Sequence, residues 1–274
     1  MEAINGLVEC LENLDAVSIA QLSEAMRDAA SNDLKKAMEI ISKNCERIVD
    51  FFEKQIPNTS LGEIGVFLYT IHTIGPEVFR LTVKVLLKYR DMIILRSRQS
   101  GILEVAEFLS GISFAEDILD FIRHIVSTLK ADIGKHDIHE IGEFLACLSI
   151  AEPSIVREIL FGIISSVERM LHRWIVEGSL NDIALFFSSV GKIDKKTGIR
   201  LLRMFKKDIL SVFDRRYASC TIDDLTSFIL LMAQVDISFV DEVLEKYGGV
   251  LEARYGKELS IVKSLVKRIR QLEA

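Results

Sequence analysis

One hydrophobic pattern recurs along the sequence at a nearly constant interval, and it constrains the fold more than any other feature. In each copy an apolar anchor is followed by phenylalanine three residues later and by further apolar residues at offsets four and seven. Offsets of zero, three, four and seven lie on one face of an α-helix, so each copy predicts the start of an amphipathic helix. The anchors are Ile64, Val105, Ile141, Ile183 and Leu225, and the phenylalanines are Phe67, Phe108, Phe144, Phe186 and Phe228.

A weaker copy with its anchor at Leu22 extends the series to six. Successive anchors are 42, 41, 36, 42 and 42 residues apart. A period of about 40 residues is typical of two-helix repeats, in which each unit buries its apolar face against its neighbours. The sequence therefore predicts six repeats, near residues 18–59, 60–100, 101–136, 137–178, 179–220 and 221–258.

The predicted first helices begin with residues that can form N-terminal capping boxes. A Ser, Thr or Asp stands three residues before Gln, Glu or Asp, a spacing that allows a capping box at the helix N-terminus. The pairs are Ser18/Gln21, Ser60/Glu63, Asp137/Glu140, Ser179/Asp182 and Thr221/Asp224. The residue after each anchor is small or short, and Gly65 and Gly142 need a reason because glycine weakens a helix. We infer that small side chains allow a neighbouring helix to approach closely.

Each first helix is expected to lead through a turn of two to four residues into a longer second helix. Pro76 and Pro153 fall at the first position of such helices, where the missing N–H is tolerated. We expect Gly248–Gly249 to kink or loosen the last one. The predicted second helices cover Glu77–Leu95, Glu116–Ala131, Ser154–Val176, Lys195–Tyr217 and Ser238–Tyr255.

The chain as a whole is predicted to be all-α, since only three prolines interrupt 274 residues. Amphipathic helices at residues 1–17 and 259–274 would cap the two ends of the array. The sequence predicts one elongated domain over residues 1–274, a right-handed α-α superhelix, or solenoid, of about six repeats.

The two-helix unit resembles the α-solenoid superfamily that includes HEAT, armadillo and TPR-type repeats. The core at Ile64–Leu68 and Ile141–Leu145 is also similar to degenerate helical repeats of prokaryotic, especially archaeal, sensor and scaffold proteins. The resemblance implies a protein-binding or scaffolding role and transfers no functional residue.

Few segments could carry chemistry, and phosphate-binding glycine loops, nucleophile elbows and zinc-protease motifs do not occur. The densest cluster spans His136–Glu140, where His136, His139 and a third ligand could hold a metal. The favoured interpretation is that Asp137 and Glu140 cap the helix and both histidines are exposed. We predict no metal and no cofactor.

Four other residues are of types that can carry function. Cys147 could be a nucleophile, but its helical position beside Leu145 and Leu148 favours packing. His72 and His124 are expected to be structural. Trp174 is equally compatible with an exposed interaction anchor and with the edge of the core.

Charge distinguishes the parts of the chain. Residues 101–190 hold 6 Lys/Arg and 14 Asp/Glu, whereas residues 191–274 hold 16 and 12. The predicted helix at 195–217 has its apolar side at Leu201, Leu202, Phe205, Ile209 and Val212. Opposite that side, within about 60° of arc, lies the basic strip, which consists of Lys196, Arg200, Arg203 and Lys207. The strip is either an ordinary solvated face or a candidate partner-binding surface.

These observations favour a non-enzymatic protein–protein interaction scaffold whose partner contains an acidic segment. The alternative is a nucleic-acid-binding helical-repeat protein that uses the same strip, although the acidic central repeats would repel phosphates. The N-terminus lacks the basic segment of a secretory signal, and the run Phe228–Val235 is too short to span a membrane. Together with four dispersed cysteines, these features predict a cytoplasmic protein without membrane contact.

Overall fold

The computed structural model describes residues 2–116 and 118–273. This part of the chain is helical and contains no β-strand, which confirms the prediction of an all-α protein. Short 3₁₀ turns lie at Leu14–Ala16, Ile56–Asn58 and Ile133–Lys135. The α-helices are α1 (Glu2–Glu12), α2 (Ile19–Lys43), α3 (Cys45–Gln55), α4 (Leu61–Ile74), α5 (Pro76–Lys88), α6 (Arg90–Ser97), α7 (Ile102–Ile112), α8 (Leu119–Asp132), α9 (Ile138–Leu148), α10 (Pro153–Glu177), α11 (Leu180–Ile193), α12 (Lys195–Arg216), α13 (Ile222–Val235), α14 (Ile237–Tyr255) and α15 (Lys257–Glu273).

The capping boxes predicted at the starts of α2, α4, α9, α11 and α13 are all present. At α13, the Thr221 hydroxyl oxygen accepts a hydrogen bond from the Asp224 backbone N–H at 3.1 Å. The Asp224 carboxylate in turn accepts one from the Thr221 N–H at 3.1 Å. Each box therefore pairs two backbone donors that helix geometry leaves free.

The predicted anchor and phenylalanine columns are buried. All ten side chains named for these columns have no exposed area, so the recurring pattern does mark the core. On α12, Leu201, Leu202, Ile209 and Val212 are likewise buried, while Phe205 is half-buried.

The connections inside the helix pairs are shorter than predicted. In four pairs a single non-helical residue separates the first helix from the second. In the first pair this residue is Asp33, and the two helices together form α2, which is kinked at that point. Aspartate suits this position because its side chain caps the next helix, as Asp194 does for the Thr197 N–H at 2.9 Å. The prediction of two to four residues is wrong at these elbows, which are Asp33, Gly75, Asp194 and Asp236.

Three of the predicted second helices match α10, α12 and α14 closely. Helix α14 continues through Gly248–Gly249, where we expected a kink. The helix predicted at Glu77–Leu95 is instead divided at Tyr89 into α5 and α6. The helix predicted from Glu116 begins at Leu119, and Asp117 lies outside the described residues.

The described residues form two compact units. The first contains residues up to Leu129 together with Ile150–Ile159, and in it α4 packs between α2 and α7. The second contains Lys130–Ser149 and residues from Leu160 onward, and in it α11 packs between α9 and α13.

Glycine sets the distance between neighbouring first helices, as the sequence indicated. A Cβ atom on Gly65 of α4 would lie 2.3 Å from the backbone oxygen of Glu107 on α7. In the second unit, a Cβ atom on Gly142 of α9 would lie 3.3 Å from the backbone nitrogen of Phe186 on α11. The small residue after the anchor therefore permits backbone-to-backbone contact, most strictly at Gly65.

In several helix pairs, an arginine near the end of the second helix donates hydrogen bonds to backbone carbonyl groups near the end of the preceding pair. Arg96 donates to the Ile56 and Thr59 oxygens at 2.9 and 2.8 Å. Similar contacts come from Arg173 to Gly134, from Arg216 to Val176, Glu177 and Gly178, and from Arg254 to Tyr217 and Ala218. These carbonyl groups have no hydrogen-bond donor within their own helix, and they lie at the negative end of the helix dipole. A guanidinium group donates hydrogen bonds to them and also places a positive charge beside that end.

Candidate functional site

The basic strip lies on the exposed side of α12. Lys196, Arg200, Arg203 and Lys207 are all exposed, whereas the opposite side of the helix packs into the second unit. Helical periodicity thus places the four side chains where a partner could reach them.

Two strip residues are already engaged in ion pairs with neighbouring helices. The Arg200 guanidinium pairs with Glu168 of α10, and the Nε of Arg203 lies 3.8 Å from an Asp236 carboxylate oxygen. Among the described residues, Lys196 and Lys207 have no ion-pair partner. The uncompensated positive charge of the strip is therefore concentrated on these two lysines.

Further ion pairs connect α12 with α10 and α14. His172 Nδ1 lies 3.0 Å from an Asp208 carboxylate oxygen, and Lys206 pairs with Glu242. Near the end of α12, the Tyr247 hydroxyl donates a hydrogen bond to Asp214, and together with the Lys246 ammonium it lowers the pKa of that carboxyl. Part of the basic excess of α12 is therefore used inside the chain.

Met204 adds an exposed apolar side chain to this surface. It is 57% exposed, and it follows Arg203 directly. Met204 lies four positions after Arg200 and about 40° further round the helix, at the edge of the basic strip. The exposed face of α12 is consequently mixed, with a thioether beside the cations, a feature that the sequence alone did not indicate.

The His136–Glu140 segment is organised as a helix start. The Glu140 carboxylate accepts from the Asp137 N–H at 3.1 Å and lies 3.2 Å from His136 Nδ1. His139 Nδ1 lies 2.9 Å from Asp182 on α11, and its Nε2 lies 3.3 Å from Glu143. In the described part of the chain, no three or more His, Cys, Asp or Glu side chains are arranged to hold a metal ion.

The remaining sequence candidates lie apart from the basic strip. Trp174 is only 1% exposed, so its interpretation as part of the core is correct. Cys147 is half-buried on α9. The His72 ring stacks on Phe114 with centroids 4.1 Å apart, and burial lowers its pKa. His124 Nδ1 lies 2.7 Å from the Asp120 carbonyl oxygen of its own helix.

The first unit contains a groove that the sequence did not indicate. It has a volume of about 660 Å³ and lies between the second half of α2 and the elbow at Gly75. Met38, Ile74 and Val78 supply apolar lining, while Glu39 and Arg80 add charges of both signs. Gly75 itself lines this space, and the groove leaves no recognisable pattern in the sequence.

No protein-family model matches the sequence, and comparison with curated proteins and with solved structures returns no match. No helix of the described residues is long and apolar enough to cross a membrane.

Proposed function

We propose that the chain is a non-enzymatic protein–protein interaction scaffold that binds an acidic segment of another protein on the basic strip. The observation that carries the proposal is the exposed combination of Lys196, Met204 and Lys207 on one helix of the second unit. Cations without internal partners attract acidic side chains during encounter, and an exposed thioether offers an adaptable apolar contact.

We further propose that the helix pairs belong to a single domain over residues 1–274, a right-handed solenoid of about six repeats similar to HEAT, armadillo and TPR-type arrays. The regular capping boxes and the buried columns support this arrangement. The arginine–carbonyl contacts give further support because they join residues that are about one repeat apart. Such arrays present extended surfaces for macromolecular partners.

The absence of enzymatic activity and the cytoplasmic location are also part of the proposal. The four cysteines, all among the described residues, form no disulfide, which suits the reducing cytoplasm.

Nucleic-acid binding is the second candidate function, because nine Lys/Arg residues lie between Lys192 and Arg216. One feature favours a protein partner instead. The exposed Met204 side chain gains nothing from a sugar–phosphate backbone, whereas Glu168 and Asp236 would repel phosphates and acidic side chains alike.

A titration with two labelled probes separates the candidates. One probe is an amphipathic helical peptide with glutamates beside leucines, and the other is a short nucleic-acid duplex. We expect the peptide to bind more tightly at physiological salt, and Lys196→Glu with Lys207→Glu to weaken it at least about tenfold. The matched control, Lys84→Glu with Lys130→Glu, changes the same charge at exposed sites on α5 and α8 and should bind normally. Tighter duplex binding, with a steep salt dependence, would favour the second function.

A further inference from the structure

Helix α15 has an exposed apolar ridge along one edge of its packed face. Leu259, Val262 and Val266 are buried, yet Ile261 is 63% and Leu272 88% exposed. Leu265, between them, is half-buried. Counted at 100° per residue, Ile261, Leu265 and Leu272 fall within about 40° of arc, so they form one ridge, which Arg268 interrupts between Leu265 and Leu272.

Basic residues accompany this ridge. Helix α15 contains five Lys/Arg and two Glu. Lys263 and Arg270 pair with Glu252 and Asp241, but Lys257, Lys267 and Arg268 are exposed and have no ion-pair partner among the described residues. Lys257 and Arg268 lie within about 40° of Ile261 round the helix, so any surface that covers the ridge must tolerate or neutralise two positive charges.

The first unit offers a surface of the opposite character between α1 and α2. A concavity of about 250 Å³ is floored by small residues and rimmed by polar ones: Ala3, Gly6, Gln21, Glu24, Ala25 and Asp28. Helix α1 itself contains three Glu and no Lys or Arg. This surface, the α1–α2 groove, combines room for apolar side chains with an acidic rim.

Gly6 supplies much of the free space in the α1–α2 groove. Nothing lies within 4 Å of a Cβ atom built on Gly6, and the residue is exposed in the middle of α1. Glycine is unfavourable at an exposed helix position, and here the missing side chain leaves the floor of the groove open.

We propose that the α15 ridge of one molecule docks into the α1–α2 groove of a second copy of the same chain. Ile261 and Leu265 enter the small-residue floor, while Lys257 and Arg268, on the same side of α15, face Glu24, Asp28 and the glutamates of α1. The charges of the two surfaces are complementary, whereas a contact between two α15 ridges would bring like charges together. The interface is heterologous, so each bound copy still exposes a ridge or a groove, and assembly continues into a ring or a linear chain. This inference does not depend on the basic strip of α12.

A complementation experiment tests the geometry. Gly6→Trp fills the groove and leaves the ridge intact, whereas Ile261→Asp disrupts the ridge and leaves the groove intact. Sedimentation velocity over the micromolar range should show concentration-dependent association of the wild type that weakens as salt is added. Each variant alone should remain monomeric, and an equimolar mixture should form a one-to-one dimer that grows no further, with unchanged thermal unfolding as the control for folding.

Other outcomes would overturn the proposal. A wild type that stays monomeric at low salt excludes the contact. Self-association of Gly6→Trp would indicate contacts between ridges, and self-association of Ile261→Asp would indicate contacts between grooves. A mixture that fails to form dimers, with both variants folded, would show that ridge and groove do not meet.

Discussion

Gly111 of α7 packs directly against Gly65 of α4, so closely that a Cβ atom on Gly111 would lie 2.1 Å from the Gly65 carbonyl oxygen. The obstructing atom belongs to the backbone of a buried helix and cannot rotate away. The contact between α4 and α7 in the first unit thus depends on the absence of two side chains.

We expect Gly111→Ala to lower the free energy of unfolding by at least about 2 kcal/mol, because overpacking outweighs the gain in helix propensity. Gly249→Ala is the matched control, since no atom lies within 4 Å of its Cβ position in α14. The control should leave stability unchanged or raise it by up to about 1 kcal/mol. Urea denaturation of both variants measures the difference, and equal effects would contradict the close-packing argument.

The arginine–carbonyl contacts lead to a second comparison, between adjacent residues of α12. Arg216 donates to carbonyls of Val176, Glu177 and Gly178, whereas Arg215 donates to the Ser211 carbonyl of its own helix at 3.3 Å and to no other described residue. We expect Arg216→Ala to cost about 1–3 kcal/mol of stability and Arg215→Ala less than about 0.5 kcal/mol. Denaturation curves that rank the two variants in the opposite order would show that the carbonyl contacts contribute little.

Apart from the close approach of neighbouring helices at Gly65, the parts of the fold that the sequence predicted are those determined within one helix. Caps and buried columns follow from residues three to seven positions apart, and Ser179 with Asp182 is an example. Contacts between helices depend on how far one helix is displaced along the next, which periodicity does not encode. The pairing of Arg200 with Glu168 and the Arg216 contacts were missed for that reason.

The candidate site shows the same division. Its location and exposure could be predicted, because one helical face carries Lys196, Arg200, Arg203 and Lys207. The ion pairs that Arg200 and Arg203 form with Glu168 and Asp236 could not be predicted from the sequence, and neither could the exposure of Met204. One sequence feature did point to polar contacts between the second helices. Arginine recurs there at about the repeat spacing, at Arg173, Arg216 and Arg254.

The pH dependence of stability should report on Asp182. Burial alone would raise its pKa, but hydrogen bonds from the Ser179 hydroxyl and N–H and the contact with His139 together lower it. A lowered pKa means that the stabilisation is complete above the ordinary Asp pKa of about 3.9. The stabilisation is then lost as the pH falls through the lower pKa of the folded state.

Asp182→Asn should accordingly be less stable than the wild type at neutral pH, and the difference should shrink as the pH is lowered from about 5 towards 2. Thermal unfolding at several pH values measures both proteins under identical conditions. A difference that stays constant across this range would rule out the charged form of Asp182 as the source of the stabilisation.

Ion pairing within the strip predicts that two charge reversals differ in stability. Arg200→Glu with Arg203→Glu would place glutamates opposite Glu168 and Asp236, and we expect a loss of about 1 kcal/mol. Lys196→Glu with Lys207→Glu breaks no ion pair with a described residue and should stay within about 0.5 kcal/mol of the wild type. Chemical denaturation distinguishes the two, and equal losses would mean that the ion pairs of Arg200 and Arg203 contribute nothing.

The proposed scaffold function is tested most directly by capturing partners from an extract of the source cells before and after nuclease treatment. The bait proteins are the wild type, Lys196→Glu with Lys207→Glu, and the control Lys84→Glu with Lys130→Glu. We predict that the wild type and the control retain the same protein partner after nuclease treatment, whereas reversal of the two strip lysines abolishes its capture. Capture that is unaffected by the reversal would show that the basic strip is only a solvated face, and capture that disappears with nuclease would contradict a protein partner.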